Sequence, residues 1–226
     1  MGRRIAAIIR HGDYQQRENT PSALQPYPLN AAGKKHAEQA ALTIGEWVDE
    51  NGWQLVPEID CSEQLRAWQT AEIIATTLNG SLTSFQTLSE RSVGAAANLT
   101  SREIREVIHN DPRYPDLPQG WKSDSHFRLP LQGAESLLEA GERVARHLQT
   151  RIDQLPNADD SIKLFVGHGA AFRHAAYHLG LLEYEQIAKL SMYHGTPLLF
   201  ERLDDESWSH LDGAWKIRIT GADYRD

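Results

Sequence analysis

At 226 residues the chain is long enough for one well-buried domain, and 40% apolar with 24% charged residues is the balance of an ordinary globular protein. A net charge of −8 argues against general affinity for nucleic acid or anionic membrane surfaces, and no apolar run approaches the ~20 residues of a membrane span. A single cysteine, Cys61, excludes an internal disulfide framework and any multi-cysteine metal site.

The elements follow in chain order. Arg3 and Arg4 precede only a short apolar run over residues 5–9, too short for a signal-peptide core, so the expected location is the cytoplasm. That run reads as a buried strand of a parallel sheet. After a polar loop, Asn30 is the expected N-cap of a helix over 31–50, closed by Asn51 and Gly52. A strand over 55–59, a helix over 64–78 ended by Asn79-Gly80, and a strand over 83–88 come next. Residues 91–131 contain Pro112, Pro115, Pro118 and Pro130 with one short helix over 101–109, and read as an inserted cap. A helix over 134–155, a strand over 163–167, a helix over 170–178, and strands over 197–203 and 215–219 complete the pattern. This alternation predicts an α/β fold: one domain over 1–226, a three-layer α/β/α sandwich with a mostly parallel central sheet.

In such sheets ligands collect beyond the carboxyl ends of the strands. Two predicted strands deliver a histidine beside glycine there: residues 5–9 run into Arg10-His11-Gly12, and residues 163–166 into Gly167-His168-Gly169. Glycine lets a ligand approach backbone N–H groups closely. Arg66 falls in the first turn of the 64–78 helix, where it opposes the macrodipole; with Arg10 it offers two guanidinium forks to an oxyanion. Glu90 follows the third strand, and a carboxylate at an anion site makes sense when it has a proton to deliver. Taken singly, each has an ordinary reading as a polar strand end, a surface arginine or a solvated loop carboxylate. His174, His178 and His194 lack an evident carboxylate or cysteine partner nearby, so no metal site is expected of them.

Arg10-His11-Gly12 after an N-terminal strand, Arg66 within S-x-x-x-R-A-x-Q-T-A, and His168 within V-G-H-G resemble the histidine phosphatase superfamily, the clan of phosphoglycerate mutases and broad-specificity acid phosphatases; Pro28 to Ala37 and Gly133 to Leu137 also look like family segments. The resemblance implies that His11 is a nucleophile forming a phosphohistidine, with its other ring nitrogen held by the Gly12 carbonyl. It further implies that Arg10, Arg66, His168 and Gly12 bind the phosphoryl group, and that Glu90 is the acid and base. Arg17, Arg91 and Gly169 become further substrate contacts. Neither metal nor cofactor is implied, and the expected partner is a small phosphorylated metabolite.

Mutases carry an E-S-x-W-N-like stretch where this chain has Asp13-Tyr14-Gln15-Gln16-Arg17, a tyrosine at Val93, and an adjacent arginine pair where the insert offers the single Arg128; Arg91 and Gly94 do match. The expectation is therefore a metal-independent phosphatase acting on phosphomonoesters. A phosphoglycerate mutase, a phosphoprotein-directed phosphatase and a non-catalytic signalling module are the alternatives. The cap, with Tyr114, Trp121 and Phe127 as lid or packing aromatics, favours a small substrate over a protein.

Overall fold

The computed structural model describes residues 2–156 and 158–218. In chain order the elements are β1 (Arg4–Arg10), α1 (Ala31–Asn51), β2 (Gln54–Leu55), β3 (Glu58–Ser62), α2 (Leu65–Thr77), β4 (Ser81–Phe85), α3 (Ser101–His109), α4 (Leu137–Asp153), β5 (Ser161–Gly167), α5 (Gly169–His178), α6 (Tyr184–Ile187), β6 (Leu190–Ser191), β7 (Pro197–Arg202), β8 (Trp208–Asp212) and β9 (Lys216–Ile217). The main sheet runs β4-β3-β5-β1-β7-β8, with β2 attached to β5. The β1–β5, β3–β5, β2–β5 and β3–β4 pairs are parallel, and β7 and β8 close one side antiparallel.

Strand alternation separates two cores. Ile5, Ala7 and Ile9 face Ala40, Ile44, Ala71 and Ile74 of α1 and α2, while Ala6 and Ile8 face Val144, Leu148, Phe172 and Ala175 of α4 and α5. This is the expected mostly parallel three-layer sandwich. A third apolar cluster gathers Val93, Ala96, Ile104, Trp121 and Leu129 against Ala23. Trp121, at 1% exposure, is thus core material.

Several boundaries differ from the sequence reading, among them the starts of β4 at Ser81 and of β5 at Ser161. Pro57 has no N–H for a ladder, and the 55–59 strand breaks there into β2 and β3. The helix read from 134 begins at Leu137, because Ser136 and Glu139 form a reciprocal capping box. The 83–88 strand ends at Phe85 and tightens into a 3₁₀ turn over Gln86–Leu88, which turns the chain toward Glu90. Of the strand read over 215–219, Lys216–Ile217 pairs with β6; Ile219 lies outside the described residues. Asn30 caps α1 through Gly33 N–H at 2.8 Å, and Gly52 closes it in the left-handed conformation with φ 67°. The edge strand β8 was not expected, since its sequence WSHLD is half polar. No helix among the described residues is long and apolar enough to cross a membrane.

Candidate active site

Register places the two histidines together. β1 and β5 are parallel neighbours with Arg10 opposite Gly167, so His11 and His168 leave adjacent strand ends with ring centroids 5.1 Å apart. The backbone holds the exit: His11 N–H donates to Gly167 O at 2.9 Å, and Gly195 N–H to Arg10 O at 2.9 Å.

The hydrogen bonds of His11 select one tautomer. Its Nδ1–H donates to Gly12 O at 2.7 Å, and its Nε2 accepts from Arg66 Nε–H at 3.1 Å. Burial, then the charges of Arg66, His168, His194 and Arg10, hold its pKa well below 6.5. His11 is therefore a neutral imidazole near pH 7 with its lone pair on Nε2, the form a nucleophile needs. His168 is held low for the same reasons, burial first and then Arg66 and Arg10. It accepts from Arg66 Nη2 at 3.2 Å and donates through Nε2–H to Ser62 Oγ at 2.9 Å.

Arg66 is fully buried. Its guanidinium donates to the carbonyls of Gln25 at 3.0 Å, Ala23 at 2.9 Å and Ser22 at 3.3 Å, besides the two imidazoles. The Tyr14 ring covers it at 4.7 Å. The loop after β1 thus exists in good part to orient this fork. Arg10 donates through Nη1 to Met192 O at 2.9 Å. A Cβ at Gly169 would come within 3.1 Å of its Cδ, so glycine there makes room for the Arg10 side chain.

Arg10, His11, Glu90, Arg91, Gly169 and Ala170 line one cavity of about 420 Å³. The N-terminus of α5 opens into it, adding the positive end of a helix dipole. Glu90, 8% exposed, accepts from Arg91 N–H at 2.9 Å through Oε1. Four further cations, Arg105, Lys122, Arg173 and Arg218, line the same cavity. Burial, Arg105 and Arg91 lower the pKa of Lys122, so these charges are close enough to repel one another.

Three expectations need correcting. The N–H of Gly12 is taken by Thr70 Oγ1 at 3.0 Å, so Gly12 is a packing and tautomer-setting residue, not a phosphate donor. Arg17 reaches away from the cavity to Asn98 O at 2.7 Å and toward Glu103 at 3.9 Å. The cap supplies Arg105 and Lys122 to the cavity, whereas Arg128 pairs with Glu139 at 3.3 Å on the surface. The remaining sequence-derived residues, Arg10, His11, Arg66, Glu90, Arg91, His168 and Gly169, come together at this edge. No role was foreseen for Tyr14 or for His194, whose Nδ1–H donates to His11 O at 2.7 Å, nor for Ser62 and Thr70, although both stand in the S-x-x-x-R-A-x-Q-T-A motif around Arg66. Burial, then Arg10, pushes His194 down to about 4. His174 and His178 bond elsewhere, to Ala170 O at 2.7 Å and Leu138 O at 3.0 Å.

Comparison with known proteins finds relatives along nearly the whole chain. The 2,3-bisphosphoglycerate-dependent phosphoglycerate mutase of Cytophaga hutchinsonii is 26% identical over 214 residues, covering 92% of this chain and 93% of the relative. A mycobacterial glucosyl-3-phosphoglycerate phosphatase superposes with a TM-score of 0.69 at 20% identity, covering 96% of this chain and 97% of that one. The alpha-ribazole phosphatase of Shigella flexneri superposes with a TM-score of 0.69 at 16% identity, covering 92% and 94%. The family model of the histidine phosphatase superfamily, branch 1, matches residues 6–211, and the chain belongs to that superfamily.

Proposed function

We propose that the protein is a metal-independent phosphatase that hydrolyses small phosphomonoesters through a phosphohistidine at His11. The observation that carries this reading is a neutral His11, its Nδ1–H fixed on Gly12 O, with Nε2 turned toward the Arg66 fork. In the first step Nε2 attacks phosphorus in line, the N–P bond forms and the ester P–O bond breaks. Glu90 protonates the departing oxygen. The incoming phosphoryl group takes over the Arg66 N–H groups that bond the two imidazoles, which frees His11 Nε2; Arg10, Arg66 and His168, the last protonated at Nδ1 as the anion binds, then hold the equatorial oxygens and stabilise their charge as the N–P bond forms. In the second step water attacks phosphorus, its proton passes to Glu90, and the N–P bond breaks to free phosphate.

The cations Arg91, Arg105 and Lys122 support a substrate with a second anionic group remote from the scissile phosphate, held against the −8 net charge of the chain. They also favour, as a second reading, phosphoglycerate mutase activity, which requires a second anion to be held while the intermediate turns around. Val93 and the Asp13–Arg17 stretch weigh toward hydrolysis.

The test is a metal-free screen of phosphorylated metabolites for phosphate release, with rapid quench to trap an acid-labile, base-stable adduct. His11→Ala is expected to lose both adduct and hydrolysis. Arg105→Ala and Lys122→Ala should each raise KM about twofold to fivefold, the scale of one exposed charge pair, only for substrates with a second anion. Activity surviving in His11→Ala would overturn the reading. Isomerisation of 3-phosphoglycerate, primed with 2,3-bisphosphoglycerate, at rates above phosphate release would establish the mutase instead.

A further inference from the structure

Glu90 sits in a stretch that belongs to no helix or strand, between the 3₁₀ turn Gln86–Leu88 and the isolated bridge of Val93 with Ala134. No sheet ladder aims its side chain. What holds the stretch is Arg143 of α4. Its Nη1 donates to the carbonyls of Gln86 at 3.3 Å, Thr87 at 2.9 Å and Ser89 at 3.1 Å. Its Nε and Nη2 engage Glu135 as a parallel fork, both at 2.9 Å. Glu135 in turn accepts from Ser92 N–H at 3.1 Å and donates its own N–H to Ser92 O at 2.9 Å. One guanidinium therefore fixes the chain immediately before Glu90, and its carboxylate partner fixes it two residues after.

We infer that Arg143, acting with Glu135, is the positioning residue for the Glu90 acid. This rests on the acid role proposed above. The physical argument is reach: a general acid works only within hydrogen-bond distance of the oxygen it protonates, and about 1 Å of misplacement can cost about 10²-fold. Loss of the fork removes the Arg143 donor from Thr87 O, Ser89 O and Gln86 O, the last of which keeps Ser89 N–H, and leaves the Glu135 carboxylate held only by Ser92 N–H, so the hold on both sides of Glu90 is loosened. Arginine is required for its shape, since a lysine ammonium cannot serve the carboxylate as a planar fork and the carbonyls together.

In the phosphohistidine-forming step a purely stabilising role would slow all substrates alike; a positioning role slows those that need the proton. The experiment compares an alkyl phosphate, whose alkoxide must be protonated as it leaves, with p-nitrophenyl phosphate, whose leaving oxygen barely needs it. Arg143→Lys, and Arg143→Met where it folds, should lose about 10²-fold in the rate of phosphohistidine formation, read by rapid quench, on the alkyl ester and less than tenfold on the aryl ester. In a Glu90→Gln background the same Arg143→Lys change should cost almost nothing further, because the acid it served is gone. Equal losses on both substrates, or losses that multiply with Glu90→Gln, would refute the positioning role and leave the acid assignment standing. A Glu90→Gln variant with no leaving-group dependence would refute the acid assignment, and the inference with it.

Discussion

Gly12 offers a sharp test of how the proposed nucleophile, His11, is held. A Cβ built on Gly12 would lie 2.2 Å from Gly33 O, against 3.4 Å where ordinary contact begins, so Gly12→Ala demands about 1.2 Å of backbone separation. That movement cannot be absorbed by a flexible side chain. The start of α1 is tied to the segment after His11 by Asn30 N–H to Asp13 O at 3.2 Å and Asn30 Nδ2 to Asp13 Oδ2 at 2.8 Å. The displaced atoms include the Gly12 carbonyl that fixes His11 Nδ1–H. An error of this size in aiming a nucleophile is expected to lower kcat by about 10²-fold, with overpacking costing about 1–3 kcal/mol of stability. Gly45→Ala is the matched control: it lies inside α1, its Cβ would meet Leu78 Cδ2 at an ordinary 3.7 Å, and it should stabilise by about 0.5–1 kcal/mol. The assays are phosphohistidine formation by rapid quench and urea unfolding of both variants. A Gly12→Ala protein with parental kcat and stability would refute the claim that this glycine contact sets the His11 geometry.

Two further outcomes follow from the buried charges. Burial, then Arg173, pushes His174 down to about 3, below its unfolded value near 6.5, so the unfolded chain binds the extra proton between those limits. Stability is thus fully present above pH 6.5 and falls on acidification, and His174→Gln should flatten urea-derived stability between pH 6 and pH 5 by about 1.4 kcal/mol per pH unit; an unchanged slope would count against a buried neutral imidazole there. On the proposed mechanism Arg10 and Arg66 supply the charge that stabilises the phosphoryl oxygens, so EDTA should leave turnover unchanged while vanadate, which imitates pentacoordinate phosphorus, should inhibit; a strict Mg²⁺ or Zn²⁺ requirement would contradict the arginine account.

Much of the architecture was legible in the chain itself. The uninterrupted apolar run of residues 5–9, the Asn30 and Gly52 helix signals, and a glycine beside each strand-end histidine are local features, and local features survive in sequence. They placed His11, His168, Arg66 and Glu90 at one edge of a parallel sheet. Tertiary structure alone decided who touches whom there. The parallel register of β1 and β5, with Arg10 opposite Gly167, sets the His11–His168 distance. The Gly12 carbonyl that the family resemblance assigned to His11 is held in place by the close approach of Gly12 to Gly33. Arg143 reaches Glu90's neighbours across more than fifty residues of chain, and Lys122 enters the cavity while Arg128, six residues on, does not. Periodicity reports which face of an element is apolar; it carries no information on the long-range packing that turns a charged side chain inward or out. Contacts closed by such packing, among them the Arg143 support of the Glu90 stretch and the cations at the cavity wall, exist only once the chain has folded.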